Sequence, residues 1–116
     1  MTNYDRGANF EREVVNDLLK MGLYAQRSAG SHGAVDVLAY CAKIGLFIQC
    51  KKHGVFPPGE RYELFELAKK HGAIPILAHK KVRGRITYLR LAAGDVYDYF
   101  SPETLLWRRP SRKILS

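Results

Sequence analysis

The chain has 116 residues, 47% of them hydrophobic and 26% charged, with a formal net charge of +8. That is the size and composition of one globular domain; no low-complexity run, internal repeat or apolar stretch of membrane-spanning length interrupts it. The basic excess suits a polyanion such as nucleic acid better than an acidic protein partner, although a merely basic soluble protein has the same balance.

Residues 5–21 carry a helical period. Phe10, Val14, Val15, Leu18, Leu19 and Met21 share one half of the wheel, and Arg12, Glu13, Asn16, Asp17 and Lys20 the other, with Gly22 as a stop. Residues 23–27 read as a short strand and 28–33 as a small-residue loop. Residues 35–41 and 46–52 are expected to pair as a hairpin, with Gly45 in or beside its turn. A loop containing Pro57-Pro58-Gly59 leads to a second helix over 60–71, with Leu64, Phe65, Leu67 and Ala68 inward. Gly72 ends it, and Lys69 and Lys70 suit the negative end of its dipole. Strands follow at 73–80 and 85–92, joined at Val82-Arg83-Gly84. Ser101 is expected to cap a last helix with Pro102 in its first turn. Arg108-Arg109-Pro110-Ser111-Arg112-Lys113 is a basic tail, expected to be poorly ordered unless bound. The order α-β-β-β-α-β-β plus a C-terminal segment predicts an α/β fold, a mixed sheet flanked by helices. Met1-Thr2-Asn3-Tyr4-Asp5 lacks the pattern of a signal peptide, and Cys41 and Cys50 lack CxxC spacing. Buried free thiols in a reducing, intracellular (cytoplasmic) compartment are therefore expected.

Alternation in the second strand of the hairpin puts Phe47, Gln49 and Lys51 on one face and Leu46, Ile48 and Cys50 on the other. Asp36 opens the first strand, so pairing brings a carboxylate towards an amide oxygen and an ammonium. Such a convergence is the chemistry of metal-assisted phosphodiester cleavage. Glu11 adds to it, because on the first helix it falls inside the apolar arc, where an unpartnered carboxylate is costly. Each residue has a plainer role open to it. Glu11 could sit half-exposed near a helix N-terminus, Asp36 could cap a loop, Gln49 could hydrogen-bond across strands, and Lys51 could be a solvated strand end. His32, His53, His71 and His79 have no metal-ligand spacing, which argues against zinc. Lys52, His53, Lys80, Lys81, Arg83 and Arg85 lie at strand ends and turns, where basic side chains either track phosphates or are simply solvated. Tyr97, Tyr99, Phe100 and Trp107 could form a core flap, a dimer surface or a stacking platform.

The motifs Arg6-Gly7, Phe10-Glu11-Arg12-Glu13, Arg27-Ser28-Ala29-Gly30-Ser31, Val35-Asp36-Val37 and Ile48-Gln49-Cys50-Lys51 resemble, in order and spacing, the archaeal-type Holliday junction resolvases. These belong to the restriction-endonuclease-like PD-(D/E)xK nuclease superfamily. The resemblance runs from about Arg6 through Lys81, including Gly72-Ala73-Ile74-Pro75-Ile76-Leu77-Ala78. It implies a single nuclease domain over 1–116, with its core at about 5–92 and a C-terminal segment serving dimerisation or DNA contact. It also implies a homodimer, with no membrane association, that makes paired nicks in branched, four-way DNA during recombination and repair. Glu11, Asp36, Gln49 and the Cys50 backbone carbonyl would hold Mg²⁺, for which Mn²⁺ would substitute, and Lys51 would orient water and stabilise developing charge. Arg27 and Ser31 match positions near the scissile phosphate and Arg12 a DNA contact; Arg6, Ser28, His32, Lys52, Lys80 and Lys81 complete the expected DNA-binding set. The departure is Gln49, where the family usually has Glu. Another nuclease of the superfamily, cutting flaps, mismatches or duplex, is the first alternative, and a non-cleaving branched-DNA-binding protein the second. A basic RNA-binding protein has no signature in its favour.

Overall fold

The computed structural model describes residues 3–28, 33–81, 83–92 and 97–107. The chain runs α1 (Asn3–Lys20), β1 (Tyr24–Arg27), β2 (Val37–Cys41), β3 (Ile44–Cys50), α2 (Pro58–His71), β4 (Ile74–His79), β5 (Thr87–Leu91), β6 (Tyr97–Tyr99) and α3 (Thr104–Trp107). Among the described residues the strands form one six-stranded sheet in sequential order. All neighbours are antiparallel except β3 and β4. A parallel pair needs a crossover, and α2 supplies it. This is the mixed α/β sheet expected from the sequence.

The period-2 alternation of β3 divides the core. Leu46 and Ile48 point to one face, where they pack with Phe10, Val14 and Leu18 of α1 and with Val37, Ile76 and Ala78. Phe47 points to the other, beside Leu64, Phe65 and Leu67 of α2 and Leu77 and Leu91 of the sheet. A helix on each face therefore leaves the end of β3 as the place where side chains from both layers meet.

The departures from expectation have local causes. Leu19 flanks the apolar arc of α1 and is 47% exposed, so the buried stripe is the narrower Phe10–Val14–Leu18 line. The β2–β3 turn lies at Ala42–Lys43, with Ala42 at φ 55°, rather than at Gly45. Gly45 pairs with Tyr40 inside the ladder, and a β-carbon there would come within 3.2 Å of the Tyr40 ring. Its glycine thus makes room for an aromatic ring. Helix α2 starts two residues early because Pro58 occupies its first turn, and it ends at Gly72 in the left-handed region (φ 69°), whose N–H reaches the Ala68 and Lys69 carbonyls. Strand β6 was not anticipated. The Ser101 cap is a main-chain one: Thr104 N–H and Oγ1 both donate to the Ser101 carbonyl, and the helix begins only there, after Pro102. Phe100 is a core flap against the α1-side core, whereas Tyr99 is exposed. The side chains of Tyr97 and Trp107, and the basic tail, lie outside the described residues.

Candidate active site

Asp36 is the best-anchored member of the group. Its N–H donates to the Ile48 carbonyl (2.8 Å) and its own carbonyl accepts from the Ser28 N–H (2.8 Å), so its backbone is pinned between the ends of β1 and β3. Its carboxylate Oδ2 accepts from the Cys50 N–H at 2.9 Å. Burial is the largest influence on this acid and pushes its pKa from 3.8 to about 6; the Cys50 hydrogen bond works against that, and the Glu11 charge adds to it. Lys51 pulls the value down and Glu60 pushes it up. The charges of Glu11, Lys51 and Glu60 thus all reach Asp36.

Glu11 is neither swallowed by the core nor free in solvent. Its carboxylate Oε1 accepts from Arg27 Nε at 3.0 Å, a bridge between α1 and β1. A helix residue inside an otherwise apolar arc is therefore neutralised by a cation from the sheet edge, and its charge is still felt at the part-buried Asp36. Burial, then the Asp36 and Glu11 charges, raises the Cys50 pKa well above its ordinary value, so this side chain is a neutral thiol and no nucleophile. The useful atoms of Cys50 are its backbone ones.

Lys51 follows the last residue of β3. Its N–H donates to the Ala78 carbonyl (3.0 Å) and its carbonyl accepts from the Gly54 N–H (2.7 Å), which fixes the backbone at the strand end. Its Nζ lies 2.8 Å from Glu60 Oε1 on the first turn of α2. Gln49 is half-buried on the α2 side of β3, with Leu77 as its neighbour on β4. Among the described residues no three His, Cys, Asp or Glu side chains converge tightly enough to hold a metal by themselves. Glu11 and Asp36 feel each other's charge, and Gln49 precedes Cys50, whose N–H holds Asp36.

The expected DNA contacts separate into groups. Arg27 belongs to the acid cluster. Exposed Arg12 donates from Nη1 to Asn9 Oδ1 at 3.0 Å. Lys80 is bound to Glu13 of α1 at 2.6 Å and is thereby less free than a solvated strand end would be. Lys52 and Lys81 are exposed, and their strand ends are joined by the Lys80 N–H donating to the Lys52 carbonyl at 2.8 Å. Ser28 is half-buried at the mouth of the loop. Ser31, His32 and the Arg6 side chain lie outside the described residues.

Two features escaped the sequence reading. The sequence pattern marks Glu60 only as the start of α2, although an acid in a helix first turn shortly after a key lysine is a usable signal. Asp17 falls on the solvent half of the α1 wheel, yet its carboxylate Oδ2 accepts from the Tyr88 hydroxyl of β5 at 2.7 Å. Burial, with that acid beside it, holds the Tyr88 phenol far above its ordinary range. No local pattern links residues so distant in the chain.

Comparison with known proteins places the chain beside one described family. Residues 2–96 match the family model of the archaeal Holliday junction resolvase (Hjc). Among solved structures, Hjc of Archaeoglobus fulgidus, a Holliday junction resolvase from an archaeal hyperthermophile, is similar. It is 25% identical, the match covers 86% of this chain and 88% of that one, and the TM-score is 0.63.

Proposed function

The chain belongs to the archaeal Holliday junction resolvase (Hjc) family, and on that premise we propose how its residues divide the work of cutting four-way DNA junctions. It is a DNA endonuclease that hydrolyses phosphodiester bonds in branched DNA. The observation that carries the assignment of roles is the part-buried Asp36 carboxylate just before β2, held by the Cys50 N–H at 2.9 Å and reached by the charges of Glu11 and Lys51.

The residues fit an oxygen-ligated divalent metal, the cofactor type of this nuclease family. Glu11 and Asp36 stand against each other's charge, a strain that a divalent cation relieves. The Gln49 amide oxygen and the Cys50 carbonyl add hard, neutral donors, which favours Mg²⁺, with Mn²⁺ as its substitute. When bound, the cation supplies charge stabilisation at the phosphate and acidifies the attacking water. Asp36 must be ionised to take part. The Cys50 N–H keeps one of its oxygens engaged and so orients the other. Lys51 presents its ammonium to the negative charge that builds on the phosphate during attack. Arg27 holds Glu11 in place and lies where a strand passing the site would meet a cation. Arg6, Arg12, Ser28, Ser31, His32, Lys52, Lys80 and Lys81 supply phosphate contacts that position the junction without reading sequence.

The protein acts inside the cell, as one nuclease domain over 1–116, and works as a homodimer. A two-fold pair of sites matches a near two-fold junction and nicks two strands symmetrically. Among the described residues no helix is long and apolar enough to cross a membrane.

The test compares a mobile four-way junction, a Y-fork and plain duplex, with Mg²⁺, for the wild type and for Asp36→Asn and Lys51→Ala. Preferential junction cleavage that vanishes in both variants, while junction binding persists, is the expected result. Equal cutting of all three substrates would reassign the protein to another branch of the superfamily. Binding without cutting would leave a branched-DNA-binding protein.

A further inference from the structure

We propose that Glu60 is the counter-charge that positions Lys51, taking over the share of negative charge that the residue at position 49 lacks; this rests on the nuclease reading above. In a strand, residues two apart share a face, so an acid at position 49 would lie beside Lys51 and hold its ammonium by charge. Gln49 carries none. A lysine on a flexible four-carbon stem then needs another anchor if its ammonium is to wait in one place.

The structure supplies that anchor from a different element. Lys51 Nζ lies 2.8 Å from Glu60 Oε1, with the two side chains 28% and 47% exposed. Both ends of this bridge are mounted on fixed backbone. Lys51 is pinned by its hydrogen bonds to Ala78 and Gly54, and Glu60 follows Pro57 and Pro58, whose rings restrict the entry into α2. No side chain caps that helix, and an acid in its first turn stands at the positive end of the helix dipole. The charge of Glu60 is also felt at Asp36 beyond Lys51, so the bridge lies within electrostatic reach of the acids. An exposed ion pair of this kind adds little to stability. Its value lies in where it holds the ammonium.

The test is a double-mutant cycle of wild type, Gln49→Glu, Glu60→Gln and the double variant, read by single-turnover junction cleavage with Mg²⁺. Glu60→Gln in the wild-type background is expected to slow cleavage about tenfold, a size ordinary for groups coupled within one site. Junction affinity should stay the same or tighten, because a negative charge is lost. In the Gln49→Glu background the same change is expected to cost less than about twofold, since the strand then carries the missing charge. A second readout needs no metal or DNA: the NMR order parameter of the Lys51 side-chain ammonium should fall in Glu60→Gln and recover in the double variant. Wild-type rates in Glu60→Gln, an equal loss in both backgrounds, or an ammonium equally ordered in all four proteins would each overturn the proposal. A wild type that cuts no junction would instead overturn the nuclease reading, and the ammonium measurement would still decide whether Glu60 holds Lys51.

Discussion

Asp36 is held where its charge is costly to the fold. Its pKa is lifted by burial from 3.8 to about 6, so the folded chain binds a proton there more readily than the unfolded one. The sign follows from linkage: this group favours the fold most at low pH, and its contribution is lost as pH rises from about 4 through about 6. Asp36→Asn is therefore expected to stabilise the metal-free protein at neutral pH by on the order of 1–2 kcal/mol once partial solvent exposure is allowed for, and to abolish cleavage. Denaturant melts at acid and neutral pH check this; an unchanged or lowered midpoint for Asp36→Asn at neutral pH would contradict it. Gln49→Glu is expected to preserve cleavage and lower the Mg²⁺ concentration required, as a metal titration of the cleavage rate would show. A dead variant would mean that the amide itself makes a needed contact. Glu11, Asp36 and Lys51 stand out in the sequence as candidates because each breaks a local pattern: an acid in an apolar arc, an acid opening an apolar strand, a lysine at the end of the next strand. Arg27 and Glu60 as their charge partners do not, since strand and helix periods say nothing about which cation or acid another element delivers.

The two long helices were legible because their apolar periods are long and glycines follow them, and the central strands because their apolar runs alternate. Gly72 shows the physical basis: it closes α2 at φ 69° with open space around its α-carbon. Gly72→Ala is expected to destabilise the protein by about 1 kcal/mol through backbone conformation alone, with cleavage unchanged, as a denaturant midpoint and a rate would show. The β2–β3 turn was misplaced because Gly45 looked like turn chemistry, whereas its job is to accommodate Tyr40 within the ladder. Strand β6 carries only Tyr97–Tyr99, too short for alternation to be seen; its pairing with β5 is a tertiary fact. The Tyr88–Asp17 bond likewise ties α1 to β5 without any sequence signal.

Over the whole molecule, the +8 charge and the acid cluster at the end of β3 answer different questions. The first sets affinity for a phosphate backbone, so junction binding is expected to weaken steeply and linearly on a log–log plot against salt. A flat salt response would remove the phosphate-tracking role of Lys52, Lys80 and Lys81. The second sets chemistry, and the sheet joins the two by bringing α1, β2, β3 and α2 to one end. Two such sites related by a two-fold axis would cut a four-way junction at matching positions on two strands. The decisive measurement is a strand-mapped cleavage assay on a four-way junction labelled on each strand in turn, with Mg²⁺ and with EDTA. Paired nicks at symmetric positions on opposing strands, absent in EDTA, are predicted; nicks on a single strand, unpaired cuts, or none with any divalent metal would contradict the proposed resolvase mechanism.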